Sequence, residues 1–301
     1  YGGLGLEVTL DANGFVRVIS PIDDTPAAKA GIITGDYITS IDGEDVYGLT
    51  LDEAVSLMRG YANTPITLTI FREGEDSTFD VKIIREIIQI TPVKYRLLDE
   101  NIAYIRISSF NDIADKKIVT AINELNKESG NKIKGFIIDV RNNPGGLLDQ
   151  SIKVTDLFLN KGEIVSTKLR EQKRKTRFFA KKGDITNGSD IIIITNGGSA
   201  SASEIFAGAM GDNARATVIG TQTYGKGSVQ TIIPLGSKKD GAIRLTTAKY
   251  YTPNDISIDK IGIKPLYIIE NENNISNDDS YDFQLEFAQK LINSRYSRKM
   301  K

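Results

Sequence analysis

The sequence predicts a two-domain protein in which a small, β-rich domain precedes a larger, layered α/β core. Three observations support this fold class. The chain has 301 residues, more than one ordinary hydrophobic core needs, although a single long domain is still possible. Its first third alternates short β-type segments with turns, whereas the rest alternates helical periodicity with continuous apolar runs. Hydrophobic residues make up 40% and charged residues 26% of the chain, which is typical of a soluble folded protein.

The first domain, residues 1–88, has the elements of a compact β-rich fold. The predicted strands cover residues 1–8 (a glycine turn entering a strand), 15–19, 35–43, 66–72 and 78–84, and the predicted helices cover residues 25–31 and 51–59. The second helix has one apolar face and is stopped by Gly60.

These elements and their order resemble a PDZ domain across nearly the whole segment. The specific matches lie at residues 3–6, 26–31, 35–38 and 41–43. The resemblance implies a groove between the second strand and the helix at residues 51–59, where an extended C-terminal peptide adds as a strand. The peptide carboxylate would then bind the backbone N–H groups of Gly3, Leu4, Gly5 and Leu6. The alternative is that this glycine turn only shapes a hairpin.

The second domain, residues 89–270, alternates strands with helices. Its predicted elements are strands at residues 102–107, 135–140, 190–195 and 217–220 and a helix at residues 113–125. Residues 135–140 and 190–195 are continuous apolar runs, which are typical of strands buried on both faces. The order strand, helix, strand favours a βαβ unit and a layered core.

Two further segments of this half carry weaker signals. Residues 271–301 form a predicted tail with an amphipathic helix after Ser280, which would dock on the core or on a second subunit. Residues 168–182 are rich in Lys and Arg and poor in apolar residues, so we expect a solvated loop there.

The composition restricts the chemistry of the chain. There are 38 basic and 39 acidic residues, and a net charge of −1 gives no electrostatic reason to expect nucleic acid as a partner. The absence of Cys excludes disulfides, thiol nucleophiles and thiolate metal sites, and the absence of His removes the commonest general base and zinc ligand. A hydrolase built on this chain would need Ser or Thr with Lys, paired carboxylates, or an oxygen-ligated metal.

The ends of the sequence also carry expectations. No apolar run reaches the ~18 residues of a membrane span. No signal peptide precedes Tyr1, and the chain opens directly on a glycine-rich strand. We therefore expect it to be a fragment or a mature form.

The first chemical motif is residues 139–146, Asp-Val-Arg-Asn-Asn-Pro-Gly-Gly, directly after a buried strand. The proline restricts the backbone, and Gly145 and Gly146 allow the chain to approach a ligand closely. Such a loop can direct a backbone N–H at an oxyanion. A tight turn without a ligand is the alternative.

The second motif is residues 196–205, which contain Ser199, Ser201 and Ser203 between the isoleucine-rich strand and a small-residue helix. A Ser at a strand-to-helix junction is typical of an exposed nucleophile with an oxyanion donor beside it. Ser201 and Glu204 also have the spacing of a capping box, which needs no chemistry. On this motif alone, both interpretations stay open.

The third motif is residues 224–230, Tyr-Gly-Lys-Gly-Ser-Val-Gln. A Lys between two glycines has the backbone freedom to turn inward. The alternative is an ordinary surface-loop lysine.

Together the three motifs resemble the carboxyl-terminal processing (tail-specific) serine peptidase family over about residues 1–270. The resemblance implies Ser201 as nucleophile, Lys226 as base and Gln230 as a third residue that orients the lysine. It also implies an α/β core of the crotonase and Clp-like spiral type. Lys226 would be neutral through desolvation, and the oxyanion would be held by the N–H of Ala202 with one from Gly145 or Gly146. No metal or organic cofactor is expected.

The same resemblance implies partners and a location. We expect protein or peptide substrates with accessible C-termini, no nucleic acid, a possible homo-oligomer and an extracytoplasmic location. The PDZ domain would either deliver the substrate C-terminus or cover the active site until peptide arrives. Arg59, at the end of the groove helix, is a candidate for coupling the domains, and a solvated helix-end Arg is the alternative.

Two rival functions come from other classes. A PDZ scaffold on an inactive peptidase fold would lack the Ser or the Lys, and both are present. An enoyl-CoA-type enzyme on a related core gives no reason for a PDZ domain or for the Ser and Lys spacing.

Overall fold

The computed structural model describes residues 2–169, 175–236, 241–270 and 282–299, and its backbone contacts divide the chain into two compact units. The first unit comprises residues 1–91 together with residues 142–144. The second unit comprises residues 92–141 and 145–301. The first part of the predicted tail, residues 271–281, lies outside the described residues.

The first unit is a twisted antiparallel sheet with two helices. Its elements are β1 (Leu6–Leu10), β2 (Val16–Pro21), α1 (Pro26–Lys29), β3 (Tyr37–Ile41), β4 (Glu44–Asp45), α2 (Leu51–Met58), β5 (Pro65–Phe71) and β6 (Phe79–Ile84). The strands are ordered β1-β2-β3-β5-β6, and β4 pairs with β3. Apolar residues of β2, β3 and β5 are buried with Ala54 and Met58 of α2, so the predicted apolar face of this helix is confirmed.

The predicted location of the peptide groove is wrong by one strand. The second strand, β2, pairs with β1 on one side and β3 on the other, so it has no free edge. The edge strand is β1, and α2 packs beside it. Because only an edge strand can accept an added strand, a groove of the predicted kind would have to lie between β1 and α2.

The second unit contains a mostly parallel sheet and a smaller antiparallel sheet. Its elements are β7 (Val93–Leu98), a 3₁₀ turn (Asp99–Asn101), β8 (Ile102–Ile107), α3 (Ala114–Glu128), β9 (Gly135–Asp139), α4 (Leu148–Asp156), β10 (Glu163–Leu169), β11 (Thr176–Phe179), β12 (Asp190–Thr195), α5 (Ala202–Asp212), β13 (Thr217–Gly220), β14 (Ser228–Pro234), β15 (Ala242–Tyr251), β16 (Tyr267–Ile268) and α6 (Phe283–Lys299). The larger sheet has the order β16-β13-β12-β9-β8-β7, parallel except for the β7–β8 pair, and the smaller has the order β11-β10-β15-β14.

The central strands β9 and β12 are buried on both faces, as their apolar runs predict. Along β12, Ile191 and Ile193 pack into the core that contains α3, α4 and α5, whereas Ile192 and Ile194 pack into a second core with α6. Side chains of a strand alternate between the two faces of a sheet, so a sheet covered on both faces needs apolar residues at every position. Ala288 and Ile292 of α6 are fully buried in that second core, so the predicted C-terminal helix docks on the second unit.

Two sequence expectations differ from the structure. No strand was predicted between residues 84 and 102, but Val93–Leu98 forms the edge strand β7, which pairs antiparallel with β8. The basic segment 168–182 was expected to be a loop, but it contains the end of β10 and the short strand β11; residues 170–174 lie outside the described part. The strands β7 and β11 lie at sheet edges, where exposed faces carry polar residues and the apolar signal in the sequence is weak.

Within the described residues, no helix combines the length and the apolar character that a membrane span requires.

Candidate active site

The loop after β9 begins at a buried ionic cluster. Asp139 ends the strand and is almost completely buried, and its carboxylate accepts hydrogen bonds from Tyr104 Oη (2.8 Å) and from the guanidinium of Arg141 (2.5 Å at the shortest). Arg106 Nη1 lies 3.5 Å from the same carboxylate. Although burial opposes ionisation, these two guanidinium groups hold the pKa of Asp139 below its ordinary value. An ionised carboxylate in a buried site needs such partners, and their hydrogen bonds hold the start of residues 139–146 in place.

The far side of this cluster is formed by the start of α6. Arg141 makes two hydrogen bonds to Asp282, Nη1 to Oδ1 at 2.9 Å and Nη2 to Oδ2 at 2.7 Å. Asp282 also accepts the N–H of Leu285 at 3.0 Å, so it caps the helix. The C-terminal helix therefore supports the loop that leads to Gly145 and Gly146. Sequence reasoning missed this cluster, although an acidic residue closing a wholly apolar strand is a detectable signal.

Ser201 occupies a strained turn between β12 and α5. Its φ of 54° and ψ of −111° lie outside the usual conformation of a helix cap, such as Thr50 at the start of α2 with φ −68° and ψ 157°. A non-glycine residue at positive φ costs roughly 1–3 kcal/mol and is found mainly at functional sites. Capping alone does not require this geometry. Ser201 is half-buried at the N-terminus of α5, which fits the strand-turn-helix setting of an exposed nucleophile.

The Glu204 carboxylate joins the serine motif to the lysine motif. Its Oε2 accepts the N–H of Ser201 and the N–H of Lys226, each at 2.8 Å. Its Oε1 accepts hydrogen bonds from the Thr223 hydroxyl and from the N–H of Gly225, each at 2.6 Å. One oxygen thus accepts hydrogen bonds from the backbone nitrogens of both predicted catalytic residues. These two nitrogens therefore lie no more than two hydrogen-bond lengths apart. The Glu204 half of the predicted capping box is present, and the same carboxylate also bridges two loops.

The Glu204 environment is electrostatically unusual. The side chain is completely buried, and burial raises the pKa of this carboxyl, while its hydrogen bonds partly counteract the effect. Four convergent donors are the arrangement that an ionised carboxylate requires in a buried site. Thr223 and the bridging role of Glu204 were not predicted from the sequence.

The lysine motif is held tightly on both sides of Lys226. The Gly225 carbonyl accepts the N–H of Lys260, and the Gly227 carbonyl accepts the N–H of Tyr250, each at 2.8 Å. A Cβ atom at Gly227 would lie 2.0 Å from the backbone nitrogen of Asp259, so only glycine fits there. The loop is therefore not an ordinary mobile surface loop, and the half-buried Lys226 side chain leaves from a fixed backbone.

The predicted oxyanion elements come together at Ser201. A Cβ atom on Gly145, whose φ is +108°, would lie 2.8 Å from both the Ala200 oxygen and the Ala202 nitrogen and 2.9 Å from Ser201 Cβ. Gly145 therefore packs directly on the peptide that carries the predicted donor N–H of Ala202. Gly146 packs instead on the backbone of Phe110, whose N–H donates to the Gly145 carbonyl at 2.9 Å.

The neighbouring Ser199 has a structural role. Its hydroxyl donates to the Val140 carbonyl at 2.8 Å and accepts the N–H of Asn196 at 3.0 Å, and the side chain is fully buried. As donor and as acceptor, this hydroxyl joins the segments that follow β9 and β12. Ser203 is also fully buried, within α5. Ser201 is the serine of this motif that solvent and substrate can reach.

Gln230 lies on β14 with an exposed side chain, and its Nε2 donates to Thr246 Oγ1 at 2.6 Å. This contact fixes the amide on the neighbouring strand β15. The predicted role of Gln230 in orienting Lys226 stays a prediction. Among the residues that the structure describes, no group of three or more acidic side chains is placed to hold a metal ion.

In the first unit, the predicted carboxylate-binding turn precedes β1. The Gly3 N–H donates to the Glu86 carbonyl at 2.8 Å, so it is already used in the sheet. Gly5 has a φ of +77°, and Leu4 is buried in the core. The turn is therefore held in place, and its later N–H groups are the better candidates for binding a carboxylate.

The end of α2 is capped by an arginine that the sequence did not single out. Arg85 is buried and donates from Nε to the Met58 carbonyl at 2.9 Å and from Nη2 to the Leu57 carbonyl at 3.2 Å. Arg59, the predicted coupling residue, is exposed at the same helix end. The cation that stabilises this C-terminus is therefore Arg85.

Comparisons with known proteins agree with this arrangement. The family model of peptidase family S41 matches residues 101–269, and a PDZ domain model matches residues 2–83. The carboxy-terminal-processing protease of Bartonella bacilliformis is 56% identical over 271 residues, which are 90% of this chain and 62% of that protein. The carboxyl-terminal-processing protease of Synechocystis sp. is 37% identical over 274 residues, or 89% of this chain and 62% of that protein.

Among solved structures, a photosystem II D1 C-terminal processing protease superposes with a TM-score of 0.82 at 30% identity, covering 90% of this chain and 73% of that one. The chain thus spans 62% of the length of each of the two curated relatives named above.

Proposed function

Because the chain belongs to peptidase family S41, with a PDZ domain at its N-terminal end, we propose that it is a serine endopeptidase acting through Ser201 and Lys226. Its relatives are carboxyl-terminal-processing proteases. The family and the fold class predicted from the sequence, an α/β peptidase core with a small β-rich PDZ domain, are confirmed.

The observation that carries the proposal is the shared acceptor at Glu204. One carboxylate oxygen accepts the N–H groups of Ser201 and Lys226, so it joins the loop after β12 to the loop after β13 at a single atom. A second link, from the Tyr224 N–H to the Ser199 carbonyl at 3.0 Å, holds the same loops together. With neither His nor Cys in the chain, Lys226 is the basic side chain available beside this serine.

The proposed reaction proceeds through an acyl-enzyme. The amine of Lys226 takes the proton of Ser201 Oγ, and Oγ attacks the carbonyl carbon of the scissile bond. The oxyanion accepts hydrogen bonds from the N–H of Ala202 and from one in the Gly145 and Gly146 loop. The Lys226 ammonium then protonates the leaving amine, and a water molecule, deprotonated by Lys226, hydrolyses the ester and regenerates Ser201.

A serine-reactive probe tests this mechanism directly. The probe should label the protein at Ser201 alone, and Ser201→Ala and Lys226→Ala should both abolish labelling and peptide cleavage. Ser203→Ala, from the same motif, should retain both. If the wild-type protein is not labelled and cleaves nothing, the chain is a PDZ scaffold on an inactive peptidase fold.

The first unit is proposed to bind the C-terminus of the substrate. An extended peptide would add to the free edge of β1 beside α2, with its carboxylate at the turn before Leu6. Two peptides that differ only in C-terminal amidation test this, because amidation removes the charge that the turn would bind. Equal binding and equal cleavage of the two would refute C-terminal recognition and leave the serine–lysine chemistry untouched.

Coupling between peptide binding and catalysis is proposed to pass through residues 142–144, which belong to the first unit although Arg141 and Gly145 belong to the second. Within the first unit, Ser20 Oγ donates to the Asn142 carbonyl at 2.6 Å, and Thr34 Oγ1 lies 3.2 Å from Asn142 Oδ1. Ser20→Ala should therefore change kcat for a peptide with a free C-terminus more than for an amidated one. Arg59→Ala, at the residue that the sequence predicted to couple the domains, is the variant with which Ser20→Ala is compared.

We further propose an extracytoplasmic location, for which the cysteine-free composition and the family resemblance are the motivation, and a homo-oligomer. Fractionation of the source cells tests the location, and sedimentation analysis tests the oligomer. Recovery in the cytoplasm, or a monomer at all concentrations, would refute them.

A further inference from the structure

The sheet of the first unit has a cluster of exposed aromatic rings away from the peptide groove. Phe15, Tyr37, Tyr47 and Phe71 form a continuous set, with ring centroids 4.9 Å apart for Phe15 and Tyr47, 6.3 Å for Phe15 and Tyr37, and 6.2 Å for Tyr37 and Phe71. Tyr47 is 60% exposed, Phe71 42% and Phe15 38%. Rings of this size gain little from folding when left in water, so a set of them in contact indicates a surface that binds something.

Two adjoining clefts lie on either side of Phe15. The first has a volume of about 440 Å³ and is walled by Phe15 and Tyr47, with Asp45 beside them. The second has a volume of about 580 Å³ and is lined by Phe15, Tyr37 and Phe71, with Asp11 and Glu73 among its other lining residues. Each cleft combines aromatic faces with carboxylates, which is the composition that binds organic cations.

The charge around this surface has one dominant sign. Among the residues that the structure describes, no Lys or Arg lines either cleft. Residues 1–91 contain 15 Asp and Glu against 6 Lys and Arg, a net charge of −9, although the whole chain has a net charge of only −1. A negative field of this kind attracts cationic partners and repels anionic ones.

Rings of the same sheet already bind cations from the unit itself. The Arg17 guanidinium lies 5.6 Å from the centre of the Tyr37 ring, and the Arg72 guanidinium lies 5.1 Å from the centre of Phe79. Arg72 is also paired with Asp36 at 2.7 Å. Arg17 covers part of Tyr37, whereas no Lys or Arg in the described part of the chain covers Phe15 or Tyr47 in this way, so the first cleft is the stronger cation site.

We propose that this aromatic surface, Phe15, Tyr37, Tyr47 and Phe71, binds a Lys- or Arg-rich segment of a protein partner. A cationic side chain enters the cleft between Phe15 and Tyr47 and pairs with Asp45, and a second one enters the neighbouring cleft near Asp11 and Glu73. None of these residues belongs to the groove formed by β1, α2 and the turn at residues 3–6. The surface therefore works in addition to C-terminal recognition.

Binding of a short peptide of alternating Lys and Gly, with an amidated C-terminus, to the full chain tests the proposal. Amidation keeps the peptide out of the proposed carboxylate site, so the result does not depend on C-terminal recognition or on catalysis. Titration calorimetry should detect binding that weakens with salt, and a Glu/Gly peptide of equal length should not bind.

Matched variants locate the site. Tyr47→Ala and Asp45→Asn should each weaken binding of the Lys/Gly peptide roughly two- to fivefold, the size expected for an exposed cation–π contact or ion pair. Tyr61→Ala removes a tyrosine that is 78% exposed and lines neither cleft, so it should leave the affinity unchanged. Equal affinity of the Tyr47→Ala protein would overturn the proposal. So would binding to phosphatidylcholine vesicles without binding to the peptide, which would indicate a choline surface.

Discussion

Replacement of Glu204 by Gln tests the central geometric argument. The wild-type carboxylate accepts four hydrogen bonds of 2.6–2.8 Å, two on each oxygen, and it is fully buried. Glutamine keeps one acceptor oxygen and directs an NH₂ group at two of the four donors. A lost hydrogen bond to a charged group costs ~1.5–3 kcal/mol, so the free energy of unfolding should fall by about 3–6 kcal/mol.

The same substitution should affect catalysis more specifically than stability. In either amide orientation an NH₂ group faces two donors, either the N–H groups of Ser201 and Lys226 or the Thr223 hydroxyl and the Gly225 N–H, so the loop that carries Lys226 must shift. Displacement of a catalytic group by about 1 Å costs on the order of 100-fold in rate. We expect kcat to fall at least this much with KM changed only a few-fold, measured on a fluorogenic peptide at a temperature where the variant is folded.

A matched control comes from the other unit. Glu53 is the corresponding residue of the capping box on α2, where its Oε2 accepts the Thr50 N–H at 2.8 Å at an exposed position. Glu53→Gln should reduce the free energy of unfolding far less than Glu204→Gln does, because water replaces the lost bond at an exposed position. If Glu204→Gln costs as little as this and leaves kcat unchanged, the carboxylate is only a helix cap and the bridging argument is wrong.

Three further predictions follow from the same site. Because burial raises the pKa of Glu204, folding favours the protonated form of this carboxyl. Acidification should therefore lower kcat at a pH above the ordinary glutamate range, while the contribution of Glu204 to the free energy of unfolding rises as the pH falls. If the Glu204→Gln protein has the same pH profiles as the wild type, this prediction is contradicted. Gly145→Ala should lower kcat by roughly 10²–10³-fold, because its Cβ would displace the Ser201–Ala202 peptide; Gly130→Ala, also at positive φ but in open space, is the control with unaltered kcat. Asp282→Asn should lower unfolding free energy by about 1–2 kcal/mol through weaker bonding to Arg141, and an unchanged urea midpoint would refute the role of α6 as a support.

Much of the core fold was predictable because burial leaves a strong periodic signal. The isoleucine run of β12 indicated a strand covered on both faces, and the two cores on its opposite sides confirm this. The amphipathic pattern of α2 was equally informative. Edge strands such as β7 and β11 were missed, because an exposed edge does not need apolar residues at every second position.

The sequence alone determined which chemical groups are available. The chain has no His or Cys, and it carries the serine, lysine and glycine motifs of one peptidase family. These are local properties, since residue type and spacing decide which groups and backbone angles are available. Tertiary structure alone decided which groups meet. It placed Glu204 between Ser201 and Lys226, set Gly145 against Ala202, and made β1 rather than β2 the edge strand beside α2. Contacts between distant segments depend on strand order and packing, and neither is encoded by the local pattern of any one segment.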